Sequence, residues 1–196
     1  MPSAALAEWD SARRARVHEL YAAHVAIGGS GRGRRKATEQ INWAIALRLA
    51  AEFQGFVRDL HDEAVAAFLR HTYSVTAGHE TAIRNMLLLS RQIDQKNATP
   101  STLQQDFSRL GFLILDEVKR NNARGSDWLT ILETLNLARN GVAHSNPVKM
   151  RSAAGGPTLQ LSRVRRWDSA LNNLARACDR ATAENLVKLT GGAQPW

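Results

Sequence analysis

The stretch Asp127-Trp128-Leu129-Thr130-Ile131-Leu132-Glu133-Thr134-Leu135-Asn136-Leu137-Ala138-Arg139-Asn140-Gly141-Val142-Ala143-His144 decides how this chain folds. Its apolar residues recur at three and four positions, the period of an α-helix. On a wheel of 100° per residue with Trp128 at zero, Ile131, Leu132, Leu135, Ala138 and Val142 fall between about 280° and 40°. Arg139 falls at about 20°, inside that stripe, where a cation needs either a partner or water. Asn140 and His144 share another face at about 120° to 160°, and Leu129 and Leu137 lie on that side too. Such a helix has apolar neighbours in two directions: the core of its own fold in one, room for a second subunit in the other. Asp127 suits its N-cap, and Pro147 disfavours helix at Asn146 and ends it.

The same period extends outward in both directions. A first helix is expected from about Ser3 to Ile27, then a basic glycine-rich loop through Gly28, Gly31, Gly33 and Lys36. A long helix follows from about Thr38 to His71, with Ile45, Leu49, Phe53, Phe56, Leu60, Ala64 and Phe68 in one stripe. A third runs from about His79 to Ile93 and breaks at Asn97 to Pro100. A fourth, capped by Ser101 or Thr102, carries Leu103, Phe107, Leu110, Ile114 and Val118. The last spans about Ser162 to Leu189. Only 148–161 changes character: Ala153 to Pro157 reads as a turn, and Thr158 to Leu161 alternates with the period of a strand. The expected fold is therefore all-α, a bundle of about five to six helices with a short irregular or hairpin insertion near 148–161. One domain is expected over 1–196: an N-terminal helix (1–27), a flexible basic loop (28–37) and a core bundle (38–190).

Lys plus Arg number 26 against 18 acidic residues, and 21 of the basic residues are Arg. The net charge of +8 suits a polyanionic partner, and the Arg fork grips phosphate with two hydrogen bonds. The competing explanation is codon usage in a GC-rich genome. A single cysteine, Cys178, excludes a disulfide framework and a Cys-based zinc cluster. No apolar run approaches the roughly 20 residues of a membrane span, and the N-terminus lacks signal-peptide character. A cytoplasmic protein without membrane contact is the expectation. The loop 28–36 lacks the GK[ST] ending of a phosphate-binding loop.

The helix that decides the fold ends in Arg139-Asn140-Gly141-Val142-Ala143-His144. This string resembles the R-x(4–6)-H motif of the HEPN superfamily, in which Asn, Asp or His often follows the Arg. Leu49 to Leu60 and Thr158 to Trp167 resemble flanking segments of its RiboL-PSP-type ribonuclease subgroup, so the likeness covers about 38–190. It implies a metal-independent, cofactor-free endoribonuclease that leaves a 2′,3′-cyclic phosphate, in toxin–antitoxin, phage-defence or RNA-processing roles. It also implies a homodimer whose two motif helices meet in a composite site, and an antitoxin or immunity protein as a further partner. Arg139 and His144 become the catalytic residues, with Asn140 orienting them or binding phosphate and Gly141 letting a partner helix approach. The chemistry suits these side chains: an imidazole moves protons near neutral pH, and a guanidinium neutralises charge growing on a phosphate.

Arg34 and Arg35 of the loop and Arg163, Arg165 and Arg166 are candidates for RNA-backbone contacts. Glu52 either supports Arg139 or pairs with Arg48 one turn away. Trp167 either stacks on a base or joins the core. No His, Cys or acid spacing marks a metal site. Two other function classes remain: a non-catalytic HEPN-type module binding RNA or a nucleotide, and a DNA-binding helical regulator. The second lacks helix-turn-helix spacing around Arg163 to Arg166.

Overall fold

The computed structural model describes residues 1–28, 36–72, 77–192 and 194–196, and all their regular structure is helical. Helix α1 (Ala4–Glu8) passes through a π-helical turn (Trp9–Arg13) into α2 (Arg14–Gly28). Then come α3 (Lys36–Thr72), α4 (Ala77–Leu88), α5 (Gln92–Gln95) and α6 (Pro100–Ser108). The rest is α7 (Ile114–Asn121), α8 (Gly125–Ala143), α9 (Pro147–Ala154) and α10 (Leu161–Leu189). The long helices α3 and α10 pack on each other, with α8 against both. Their stripes meet in a core centred on Phe53, Phe56, Leu60, Phe107, Trp167 and Leu171, all essentially inaccessible.

The N-terminal helix is part of this core rather than an arm beside it. Ala5, Leu6, Trp9 and Val17 are buried; Trp9 meets Phe53 edge-on at 5.9 Å and donates its indole N–H to Asn172 Oδ1 at 3.2 Å. The expected bundle of five or six helices is further divided, because tertiary partners satisfy the backbone at the breaks. The expected helix 79–93 ends at Leu88; Arg109 donates to the carbonyls of Leu87, Leu89 and Ser90, and Ser90 adopts a φ of +59°. The buried Asp106 carboxylate then accepts from the Gln92 and Ile93 amides and starts α5. The expected fourth helix is broken between α6 and α7, where Gly111 has a φ of +87°. Its cap is Thr99 in a reciprocal box with Thr102, not Ser101 or Thr102, and Pro100 takes the first turn.

Helix α8 starts at Gly125, two residues before the expected cap, because only glycine fits there: a Cβ would lie 2.7 Å from the Val118 carbonyl oxygen. Asp127 sits in the first turn instead. The segment 148–161 contains no strand. Asn146 Oδ1 accepts from the Val148 and Lys149 amides at 3.1 Å each and nucleates α9, and Gly155 ends it with a φ of +64°. An irregular loop, 155–160, follows. The apparent alternation at Thr158 to Leu161 is one plug: Leu159 is buried, and its carbonyl accepts from Asn42.

Among the polar groups buried in the interior, one is a histidine. His61 is fully buried; Nε2 donates to the Asp106 carbonyl at 3.1 Å, and Arg91 donates to Nδ1 at 3.3 Å. Burial, together with the Arg91 charge, pushes this imidazole down from 6.5 to about 4. The folded protein therefore holds His61 neutral, while the unfolded chain takes up a proton near pH 6.5. Its contribution to stability is complete above that pH and is lost as the pH falls towards 4. Urea unfolding of wild type and His61→Gln, run from pH 7 to pH 4, should differ in pH slope by a total of about 3 kcal/mol. Parallel curves would show that His61 takes up no proton on unfolding.

Candidate functional site

Helix α8 packs against α3, α7, α9 and α10 of its own chain. Leu129, Ile131, Leu132, Leu135 and Ala138 are buried, and Trp128, Leu137 and Val142 are half-buried against the core. The second apolar flank is thus met within the chain, so the two-sidedness of α8 does not by itself call for a second subunit. Gly141 is also spent internally. A Cβ on it would lie 3.0 Å from the Met150 amide and from Met150 Cγ, so the helix it admits is α9.

The motif residues sit at the end of α8 where the chain reverses. Arg139 is half-buried and donates through a terminal guanidinium nitrogen to Asn140 Oδ1 at 3.3 Å. The same oxygen accepts from Asn97 Nδ2 at 2.8 Å. No described acid pairs with Arg139, so a cation in an apolar stripe is accommodated by an amide and partial exposure. His144 is the C-cap residue and is exposed; its side chain bonds to no described residue. Beyond it, Ser145 takes a φ of +49° and the Asn146 amide donates to the Gly141 carbonyl at 2.7 Å, turning the chain into α9.

Asn97 is the site residue that sequence reading missed. It reads as a helix break, yet its turn is anchored: Asn136, buried on α8, donates to the Ala98 carbonyl at 2.9 Å, and the Thr102 hydroxyl donates to the Asn97 carbonyl at 2.8 Å. The Asn-x-Thr-Pro order was the available signal, since such residues organise turns through their side chains. An anchored turn delivers the Asn97 amide to Asn140.

The other expected site residues separate. Glu52 does not support Arg139. Its buried carboxylate accepts from Arg16 at 2.8 Å and Arg13 at 3.0 Å and pairs with Arg48 at 2.8 Å, tying the π-helical turn and α2 to α3. Burial opposes its charge, but the bonds from Arg16 and Arg13 outweigh that and hold the carboxyl below its ordinary value. Gly55 makes room for this cluster, since a Cβ there would collide with Arg13. Arg163 is half-buried and donates to the Ala153 carbonyl at 2.8 Å, closing the end of α9. Arg165 and Arg166 are exposed. Trp167 lies in the core and is not available to stack on a base. Arg34 and Arg35 lie outside the described residues.

Among the described residues no three His, Cys, Asp or Glu side chains converge as metal ligands, and no helix is long and apolar enough to cross a membrane. Comparison with known proteins gives no matching family model, no matching curated protein and no matching solved structure. The site is therefore read from its own chemistry: a guanidinium paired with no described acid, steered by an amide, and an exposed imidazole just beyond it. Gly141→Val should displace α9 and cost about 1–3 kcal/mol through overpacking, read as a lowered Tm. An unchanged Tm would mean that α9 does not lean on Gly141.

Proposed function

We propose that the chain is a metal-independent endoribonuclease. The observation that carries this reading is the state of Arg139, a half-buried guanidinium held by an amide oxygen and by no described carboxylate. An ion pair would consume its charge; an amide orients it and leaves both charge and donors for a phosphate. The exposed His144, at the close of the same helix, supplies a group suited to proton transfer near neutral pH.

In this reading the ribose 2′-oxygen attacks phosphorus and the bond to the 5′-oxygen breaks. The 2′-proton leaves to a base and the 5′-oxygen gains a proton. The products are a 2′,3′-cyclic phosphate and a 5′-hydroxyl. His144 performs one of the two proton transfers, and Arg139 balances the extra negative charge on the non-bridging oxygens. Asn140, held by Asn97, is a positioning residue for Arg139. On a straight helix Arg139 and His144 point about 140° apart, which favours a homodimer in which each copy completes the other's site. The exposed Val148, just past the motif, is consistent with such a contact. A cytoplasmic location and a role in defence, toxin–antitoxin pairing or RNA processing accompany the proposal.

Arg139→Ala and His144→Ala should each lower cleavage of total RNA by at least about a thousandfold with unchanged helix content, and EDTA should have no effect. Wild-type cleavage by either variant refutes the assignment; salt-sensitive RNA binding without cleavage by wild type moves the protein to the non-catalytic class. Asn97→Ala should lower the rate about tenfold at nearly unchanged KM, since it loosens Arg139 without touching substrate. A change confined to KM would argue against positioning.

A further inference from the structure

The last turns of α8, α9 and the start of α10 share one electrostatic property. From Thr134 to Trp167 the chain holds no acidic residue but six basic ones: Arg139, Lys149, Arg151, Arg163, Arg165 and Arg166. The first acid beyond them, Asp168, is paired with Arg14 at 2.9 Å. Within this tract the end of α9 and the start of α10 border a polar cleft of about 460 Å³. Its wall includes Thr158, Ser162, Arg163 and Arg166, and no described carboxylate. A neighbouring cleft shares Ala154 and Pro157 with it and takes in Trp43, Met150 and Glu39.

The two guanidiniums of the acid-free wall are held differently. Arg163 is fixed: Nε donates to the Ala153 carbonyl at 2.8 Å, and the group lies against Gly155. A Cβ at 155 would sit 2.7 Å from one terminal nitrogen and 2.9 Å from the other. Glycine is therefore needed there twice over, for the φ of +64° and for the arginine. Neither terminal nitrogen of Arg163 bonds to a described residue. Arg166, three residues on and so on the same side of α10, is exposed and has no described partner. A guanidinium anchored at Nε has already lost rotamer freedom, so a ligand that takes its remaining donors meets a smaller ordering cost.

We infer that this cleft binds a phosphate group, held by the terminal nitrogens of Arg163 and by the guanidinium of Arg166. An arginine fork matches two oxygens of either a phosphate or a carboxylate. A carboxylate is satisfied by one fork. The second guanidinium and the hydroxyls of Thr158 and Ser162 suit the further oxygens that a phosphate carries. The cleft is separated from His144 by α9, an eight-residue helix about 12 Å long. The phosphate therefore belongs either to the backbone of a strand that also passes Arg139 or to a free nucleotide. The inference goes beyond the ribonuclease reading, because holding a phosphate needs no cleavage.

The test uses the full chain with uridine, 5′-UMP and a uridine octamer methylated at every 2′-oxygen, which cannot be cut by 2′-attack. NMR signals of residues 155–166 should shift with UMP and with the octamer but not with uridine. In fluorescence anisotropy over a salt series, Arg166→Ala should weaken octamer binding severalfold. It should also lower the salt slope by about 0.7, the share of one phosphate contact on a single strand. Arg124→Ala removes the same charge at the start of α8 and should leave both values unchanged. Arg163→Lys keeps the charge without the fork and should weaken binding severalfold at an unchanged slope. An octamer bound more tightly than UMP assigns the phosphate to a strand; equal affinities, both weakened by Arg166→Ala, assign it to a free nucleotide; either result supports the site. Uridine shifting the same signals as UMP, or Arg166→Ala acting no differently from Arg124→Ala, overturns it. A chain that binds in this way and cuts no RNA keeps the site and loses the nuclease reading. A chain that cuts RNA while Arg166→Ala changes neither affinity nor slope does the reverse.

Discussion

The approach of α9 to Gly141 governs the functional end of this molecule. With no side chain at Gly141, the backbone of α9 lies close over the last turn of α8, and the Asn146 amide can reach the Gly141 carbonyl. That contact forces the reversal after His144, leaves the imidazole outside at the bend, and sends Pro147, Met150 and Arg151 across to Trp43. A wider spacing would displace all three features together, because packed interfaces yield little before they rearrange.

Two polar systems brace the bundle away from that end. The Asp106 carboxylate, buried with no cationic partner among the described residues, is satisfied by the two amides that open α5, and its backbone carbonyl accepts a hydrogen bond from His61. The Glu52 cluster joins three arginines from α2, α3 and the π-helical turn around one carboxylate. Both obey the rule that buried polar groups are tolerated when their bonds are made. They also account for part of the arginine excess, which the overall charge alone would have assigned to nucleic acid. Arg13, Arg16, Arg91 and Arg109 hold the protein together, whereas Arg139 and Arg166 have no acid among the described residues.

The all-helical class was legible from spacing, since apolar residues at three and four positions describe a helix wherever they occur. Most stripe residues are buried as the wheel places them, and the motif does close α8. Helix boundaries were less legible. The break at Ser90 is held by Arg109 and the start of α5 by Asp106, each more than a dozen residues further along the chain, and local pattern carries no trace of such partners. Asn97 escaped notice for the same reason: its meaning lies in Asn140, on a different helix.

Local residue chemistry by itself determined the long helices and the Arg139-to-His144 string, because each depends only on neighbours within a turn or two; α9 and its capping Asn146 emerged only in the structure. Tertiary structure alone decided which arginines are consumed by carboxylates, that the second flank of α8 is met by its own chain, and that Trp43 and Met150, far apart in sequence, line one cleft. Those outcomes depend on which surfaces meet when the long helices pack, and burial of apolar stripes is non-directional until the whole bundle has closed.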